Sequence, residues 1–264
     1  MDERLKANLD AWNQMARIHE ASREYRLAEF KAGENVLKPI ELREVGDVRG
    51  KSLLHMQCHF GLDTMSWARL GANVTGVDFS DEAMALARSI SAELKIPARF
   101  IQSNIYDAPD ALHEQFDIVF TSYGALCWLP DITRWAQIAA SFVKPGGFFY
   151  MAEFHPLTQM HRNDEGATKL ECEISYFNSA MREDPPGPDY SDRSKIVSET
   201  HQWMYRLGDV VSALAATGLR IEYLHEYAEC IYQHYPFMKQ EADGMWHIEG
   251  DPIPTIFSIK ATKP

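Results

Sequence analysis

Apolar runs alternate with helical patterns through the middle of the chain. Residues 53–56 form a short apolar run that turns at 58–61, and apolar residues at helical spacing follow over 65–70. A second apolar run, 72–77, ends on Asp78. Strand, glycine turn, helix, strand and acid therefore follow one another in the order of nucleotide-binding βαβ units.

The same alternation continues downstream. Ser80 is a plausible N-cap for a helix that begins at Asp81, because its hydroxyl can accept from a backbone N–H of the first turn. The further predicted elements are a helix over 81–94, strands over 98–102 and 116–121, a helix over 131–143, a turn over 144–147 and a strand over 148–154. Strands that alternate with helices predict a doubly wound parallel sheet with helices on both faces.

The N-terminal segment, 2–45, carries charges at helical spacing, and Gly33 divides it into predicted helices over 2–31 and 34–45. Its first helix has an apolar stripe that includes Trp12 and Tyr25. Such a stripe is typical of a helix that packs against a domain, and a lid over the binding cleft is the alternative.

Regular patterns stop after the fifth strand and return near the C-terminus. Prolines, acids and scattered aromatics occupy 155–205, a length that favours a functional cap. A helix over 207–217 and strands over 219–227 and 255–261 follow. We therefore predict a single domain, 1–264, with N-terminal helices over 1–46, a βα core over 47–154, the cap over 155–205 and a C-terminal part over 206–264.

Composition narrows the function. The formal net charge of −12 leaves no broad basic surface, which argues against nucleic acid and favours a small-molecule substrate. Four cysteines lie far apart, and no secretion signal or apolar run of membrane-spanning length is present. These features predict a cytoplasmic protein that does not enter a membrane, and they leave the oligomeric state open.

Several segments together resemble the class I S-adenosylmethionine-dependent methyltransferases, in particular a group of bacterial small-molecule methyltransferase-like proteins. The segments, in chain order, are LLHMQCHFGLDT, VTGVDFS, FIQSNIYDAP, FDIVFTSYGALCWLPD, VKPGGFFYMAEFHP, TGLRIEYLHEY and PTIFSIKATK. The resemblance implies a seven-stranded α/β sheet whose last strand is antiparallel. It also implies S-adenosyl-L-methionine as cofactor and a small-molecule methyl acceptor.

The resemblance also implies roles for individual residues. The backbone around Gln57, Cys58 and Gly61 would approach the methionine part of the cofactor. Asp78 would hold the ribose hydroxyls, because a carboxylate at the end of the second strand can accept hydrogen bonds from both of them. The residues implied to line the remainder of the cofactor are Phe79, Asn104 and Ile105 at the adenine, and Thr121 and Ser122 at the sulfonium.

The loop departs from the family pattern of an acid followed by three alternate glycines. His55 stands in place of the acid, and Gln57 and His59 stand in place of two glycines. A nicotinamide-dependent dehydrogenase is the alternative for such a loop, but the first glycines of the dinucleotide fingerprint are also absent. His55, Cys58 and His59 are metal-ligand types, yet no fourth ligand is spaced nearby, and we expect no metal site.

Methyl transfer from a sulfonium depends on alignment and needs no fixed catalytic motif, although a base helps when the acceptor must lose a proton. His155, directly after the fifth strand, is the first candidate, and Tyr123, just past the fourth, is the second. The alternatives are a turn closed by the His155 ring and a pocket wall formed by Tyr123. Glu153 near the end of the fifth strand could also face the site.

Two other outcomes remain open from the sequence. The altered glycine loop leaves room for an enzyme that cleaves or cyclises the cofactor without methyl transfer. A cofactor-binding module without catalysis is the alternative outside enzymes, but a cap and pocket aromatics would then have no use.

Overall fold

The computed structural model describes residues 2–178, 181–242 and 244–264. The helices are α1 (Glu3–Ala21), α2 (Leu27–Lys31), α3 (Pro39–Val45), α4 (Leu62–Arg69), α5 (Asp81–Leu94), α6 (Ala108–Ala111), α7 (Ile132–Phe142) and α8 (Leu207–Ala215). The strands are β1 (Ser52–Met56), β2 (Asn73–Asp78), β3 (Ala98–Gln102), β4 (Phe116–Ser122), β5 (Val143–Phe154), β6 (Arg182–Asp184), β7 (Gly187–Pro188), β8 (Ile196–Val197), β9 (Thr200–Gln202), β10 (Arg220–Tyr227), β11 (Lys239–Gln240), β12 (Trp246–His247) and β13 (Ile256–Thr262).

Seven strands form the central sheet in the order β3-β2-β1-β4-β5-β13-β10. The first five are mutually parallel, and β13 runs antiparallel to both β5 and β10. The predicted class I methyltransferase fold, with its last strand antiparallel, is confirmed. Strand order reverses between β1 and β4, so a crevice opens at their carboxyl ends, where ligands bind in open α/β sheets.

Both faces of the sheet are covered, as the continuous apolar character of β4 predicts. On one face Trp67 of α4 packs edge-on against Phe120, with ring centroids 5.5 Å apart. On the other face Trp135 of α7 meets Phe149 in the same way at 5.7 Å. All four side chains are fully buried. These contacts fix the helices that flank the crevice.

The N-terminal segment differs from the prediction of a single helix over 2–31. The chain leaves α1 at Ser22, which is extended, and re-enters α2 after Arg26, whose φ is +53°. The hydroxyl of Ser22 accepts from the N–H of Glu24 and donates to the carbonyl of Ser191, 3.4 Å away. A contact across 169 positions thus ends the helix, and the local pattern does not contain it. The second helix begins five residues later than predicted, at Pro39.

The cap contains short strands that pair with each other, β6 with β9 and β7 with β8. It is joined to α1 by two side-chain amides. Asn8 donates to the carbonyl of His201 at 2.8 Å and accepts from its N–H at 2.7 Å, and Gln14 makes a similar pair of hydrogen bonds with Ser198. We call α1 together with residues 182–202 the lid. Within the described ranges, no helix is both long and apolar enough to cross a membrane.

Candidate functional site at the carboxyl ends of β1 and β4

The loop after β1 has the backbone of a glycine-rich turn although two of its residues carry side chains. Gln57, His59 and Gly61 have φ values of +57°, +49° and +77°. A left-handed conformation costs a residue with a Cβ about 1–2 kcal/mol. Gln57 and His59, which stand where the family pattern has glycine, therefore adopt the left-handed backbone that glycine would adopt there.

The side chains of Gln57 and His59 leave the loop in different directions. Gln57 donates to the carbonyl of Ala125 at 3.1 Å and accepts from the indole N–H of Trp135 at 3.0 Å. His59 reaches α1, where its Nε2 lies 3.0 Å from Nδ1 of His19. These hydrogen bonds offset the backbone strain, and they tie the loop to the segment after β4 on one side and to the lid on the other.

Gly61 is required for space as well as for its backbone angle. A Cβ there would lie 2.5 Å from the Phe100 ring and 3.3 Å from Ala87. Cys58 is buried, and its sulfur would lie 2.7 Å from a Cβ on Gly76 of β2. Burial raises the pKa of the Cys58 thiol well above its usual value. Cys58 thus packs the loop against β2 as a neutral side chain, while its backbone forms the turn.

Asp78 lies at the carboxyl end of β2 beside this loop. Its Oδ2 accepts from the N–H of His59 at 2.8 Å, and its Oδ1 accepts from the N–H of Ser80 at 3.0 Å. The residue is 8% exposed, and burial raises its pKa to about 6. Each oxygen has further lone pairs, so the carboxylate is held in place and can still accept hydrogen bonds from a diol.

The remaining residues implied for the cofactor lie near the same edge in different environments. Phe79 and Asn104 are partly exposed, and the side-chain oxygen of Asn104 accepts from the N–H of Tyr106 at 3.0 Å. Ile105 is buried in the core. Thr121 is buried and donates to the carbonyl of Met56 at 3.2 Å, which links the ends of β4 and β1.

Ser122 belongs to a hydrogen-bonded chain that begins under the loop. The hydroxyl of Thr64 lies 2.9 Å from Nδ1 of His55, and Nε2 of His55 lies 3.3 Å from the hydroxyl of Ser122. Ser122 in turn donates to Asp63 at 3.2 Å. Burial lowers the pKa of His55 to about 3, so its ring is neutral. Asp63 on α4 therefore brings a carboxylate to the site in place of the acid that the family pattern has at position 55. The sequence did not indicate this role of Asp63.

Glu153 faces inward from the end of β5 and holds the loop after β4. Its two oxygens accept from the backbone N–H groups of Gly124, Ala125, Leu126 and Phe154. Burial raises its pKa, and these hydrogen bonds act in the opposite direction. Glu153 thus positions the backbone next to the crevice, a role that the sequence did not reveal.

Both predicted catalytic side chains lie against carboxylates of other elements. Nδ1 of His155 accepts from the N–H of Leu157 at 3.1 Å, and Nε2 lies 3.0 Å from a carboxylate oxygen of Glu226. Tyr123 donates to Glu41 at 2.8 Å. Burial raises the Tyr123 pKa well above its ordinary value. Leu157 closes a turn onto His155, and Tyr123 does not line the cavity described next, so a catalytic role for either residue stays a prediction.

A cavity of about 260 Å³ lies between the carboxyl ends of β4 and β5 and the cap. Its lining includes Cys127, Glu153, Phe154, His161, Arg182 and Tyr232. His161 donates from Nδ1 to the carbonyl of Leu157 at 2.9 Å, because a carbonyl can only accept. A neutral His161 therefore carries its lone pair on Nε2. The cavity offers a base that spacing along the chain did not single out.

The three side chains near the loop that are of metal-ligand type point in different directions. His55 lies under α4, Cys58 packs against β2, and His59 reaches the lid. No group of three or more His, Cys, Asp or Glu side chains suited to a metal ion occurs in the part of the chain that the structure describes.

Comparison with known proteins agrees with this geometry. Residues 53–147 match the family described as a methyltransferase domain. A ubiquinone biosynthesis O-methyltransferase from Shewanella pealeana is 34% identical over 128 residues, which cover 47% of this chain and 53% of the relative. The chain therefore spans about half the length of the curated relatives that it matches.

Solved structures share the fold at low identity. A putative S-adenosylmethionine-dependent methyltransferase from Listeria monocytogenes has a TM-score of 0.60 at 20% identity, covering 85% of this chain and 97% of that one. The glycopeptide N-methyltransferase MtfA, complexed with S-adenosyl-L-methionine, has a TM-score of 0.56 at 17% identity, covering 88% and 89% of the two chains.

Proposed function

We propose that this chain, whose core belongs to the methyltransferase-domain family, is an S-adenosylmethionine-dependent methyltransferase that acts on a small molecule. The observation that carries the proposal is the loop after β1 with Asp78 beside it. Its backbone has three alternate left-handed residues, and a buried carboxylate follows at the end of β2.

The residues at the crevice fit this cofactor. Asp78 keeps lone pairs for the ribose hydroxyls, and the side chains of Gln57 and His59 both have partners outside the loop. Two buried ring nitrogens beside the loop, Nε1 of Trp12 and Nδ1 of His59, have no hydrogen-bond partner among the described residues. Buried polar groups usually have a partner, so both nitrogens are available to a polar ligand in the crevice.

When bound, S-adenosylmethionine supplies an electrophilic methyl carbon on its sulfonium. The protein contributes by positioning and by excluding water, because alignment accounts for most of the rate of such a displacement. We place the acceptor in the cavity between β4, β5 and the cap. There Glu153 fixes the loop of Gly124 to Leu126, and His161 accepts the proton that a hydroxyl, thiol or ammonium acceptor loses.

The acceptor is a small polar molecule in this proposal. The cavity presents both charged and aromatic groups, among them Arg182, Glu173 and Tyr232, and 260 Å³ suits a compact ligand. Much of its lining lies outside residues 53–147, so the similarity to ubiquinone biosynthesis O-methyltransferases supports the reaction more than the substrate. The net charge of −12 and four free cysteines support a cytoplasmic enzyme that does not bind nucleic acid.

Calorimetry with S-adenosylmethionine and with S-adenosylhomocysteine tests the proposal. We expect both ligands to bind. If neither ligand binds at millimolar concentration, the proposal is ruled out. Incubation with the cofactor alone, followed by mass spectrometry, separates methyl transfer from cleavage or cyclisation of the cofactor. A methyltransferase leaves the cofactor intact until an acceptor is present, whereas a cleaving or cyclising enzyme consumes it.

A further inference from the structure

A buried chain of three titratable side chains connects the cap, α1 and the loop after β1. Oδ2 of Asp189 lies 3.0 Å from Nε2 of His19, and Nδ1 of His19 lies 3.0 Å from Nε2 of His59. The side chains of His19 and Asp189 are wholly buried. The three residues are 40 and 130 positions apart, so only the closed lid brings them together.

Asp189 is held as an anion at one end of this chain. Its Oδ1 accepts from the N–H and the hydroxyl of Ser191 and from the N–H of Asp192. Burial alone would raise its pKa, but the hydrogen bonds from His19 and Ser191 outweigh burial and keep the pKa below its usual value. His19 must therefore donate from Nε2 to this carboxylate.

The protonation state of His19 decides whether Nδ1 of His59, at the other end of these three side chains, is a hydrogen-bond donor or an acceptor. If His19 is neutral, its Nδ1 accepts from Nε2–H of His59, and Nδ1 of His59 is a lone pair. If His19 is an imidazolium, its Nδ1 donates, and Nδ1 of His59 becomes an N–H donor. Nδ1 of His59 is buried without a partner, and an orphaned acceptor costs less than an orphaned donor. Without a ligand the first arrangement is therefore favoured.

A second unpartnered group lies beside the first. Nε1 of Trp12, which can only donate, is buried without a partner. The Trp12 ring meets the His59 ring at 5.1 Å and the Trp128 ring, in the segment after β4, at 5.2 Å. Trp12 thus bridges the segments that follow β1 and β4, which flank the crevice.

We propose that Trp12 and His59 bind the carboxylate of the cofactor's amino-acid part and that Asp189, His19 and His59 form a relay which takes up one proton when this carboxylate binds. The inference rests on the proposed function. The proton comes from solvent and remains on His19. His59 then donates from Nδ1 to the ligand and accepts at Nε2 from His19. Two anions, Asp189 and the ligand carboxylate, thereby flank one cation.

The other polar groups that face the relay do not supply its positive charge. Tyr25 stacks on His19 at 4.4 Å and Tyr190 lies at 4.9 Å, while Glu24 and Asp78 add negative charge on the lid side and on the loop side. Burial lowers the pKa of His59, which therefore stays neutral in both arrangements. His19, next to Asp189, is the group that can hold the proton.

The experiment is calorimetry of S-adenosylhomocysteine binding at pH 8 in buffers of low and high ionisation enthalpy. The slope of the observed enthalpy against the buffer enthalpy counts the protons exchanged. We expect an uptake of close to one proton for the wild-type protein. We expect none for 5′-methylthioadenosine, which has the nucleoside and the sulfur but lacks the amino-acid part.

Two variants locate the effect. His19→Gln should abolish the uptake. Trp12→Phe removes the indole N–H together with part of the ring, and it should weaken S-adenosylhomocysteine about tenfold or more while leaving 5′-methylthioadenosine, which lacks the carboxylate, unchanged. Tight binding of S-adenosylhomocysteine without proton uptake would overturn the relay and leave the proposed function intact. Absence of any binding would instead overturn the proposed function. If His19→Gln does not fold, the comparison of the two ligands on the wild-type protein still decides.

Discussion

Replacement of Asp78 by Asn tests the cofactor site most directly. The substitution keeps the shape of the side chain and removes the charge that two ribose hydroxyls would use. Hydrogen bonds to a charged group contribute about 1.5–3 kcal/mol, so we expect S-adenosylhomocysteine to bind roughly 10-fold to 100-fold more weakly at pH 7.

The raised pKa of Asp78 gives this prediction a pH dependence. Burial places the pKa at about 6 in the free protein, and the ligand's hydroxyls favour the ionised carboxylate. The ionised fraction falls about tenfold between pH 7 and pH 5, so the affinity of the wild-type protein relative to that of Asp78→Asn should fall by about the same factor. The proposed relay at His19 would strengthen binding as the pH falls, but it acts equally on both proteins. The ratio of the two affinities therefore isolates Asp78.

Calorimetry or fluorescence titration of both proteins between pH 5 and pH 7 provides the measurement, with thermal unfolding as a check on folding. Asp47→Asn is the matched control, because Asp47 precedes β1 at the opposite end of the sheet and its side chain is 62% exposed. An Asp78→Asn affinity within twofold of the wild type would refute the assignment. So would an equal fall with pH in both proteins, since some other group would then be responsible.

Three further substitutions test separate parts of the structure. Burial raises the pKa of Glu41 from 4.5 to about 7, so the stability that its protonated form contributes is present below pH 4.5 and is lost as the pH rises through 7. Glu41→Gln should therefore raise the free energy of unfolding at pH 8 by up to about 3 kcal/mol and have little effect at pH 4.5. Urea unfolding at the two pH values measures the difference. Gly61→Ala should destabilise the protein by about 2 kcal/mol or more, because the new Cβ would clash with Phe100. Gly218→Ala, at a φ of +85° with no atom within 4 Å, should lose only the cost of the backbone angle, and equal losses would argue against the packing role of Gly61. Once an acceptor is known, His161→Asn should lower kcat by about 10²-fold to 10⁴-fold with little change in KM, and a larger loss for His155→Asn would return the role of base to His155.

The sequence predicts the sheet well because the sheet depends on local periodicity. The runs over 53–56 and 98–102 became strands at nearly the same bounds, and the apolar run that begins at Phe116 became the buried strand β4. The position of Asp78 follows from the βαβ order alone. Each of these features requires only neighbours within about twenty positions.

Features that depend on distant contacts could not be predicted in this way. Nothing in the local pattern shows that Ser22 meets Ser191 and ends α1, or that Asp189 reaches His19. The local pattern left the direction of Glu153 open, whereas in the structure four backbone N–H groups, three of them in the segment after β4, converge on its carboxylate. The roles of His155 and Tyr123 depend likewise on Glu226 and Glu41, which lie on other elements.

The loss of two glycines from the loop after β1 has a consequence for the lid. Glycine at position 59 would give the same backbone without strain, but it would have no side chain to contact His19. Here the strain of a left-handed His59 is offset by a hydrogen bond that exists only while α1 and the cap are in place. Opening the lid would remove that compensation and expose a strained loop. Cofactor binding and lid closure should therefore favour each other. A His59→Gly variant should bind the nucleoside part of the cofactor unchanged but lose this coupling. The coupling can be measured as the protection of residues 182–202 from protease when S-adenosylhomocysteine is added. Equal protection by the ligand in both proteins would show that the loop does not carry the coupling.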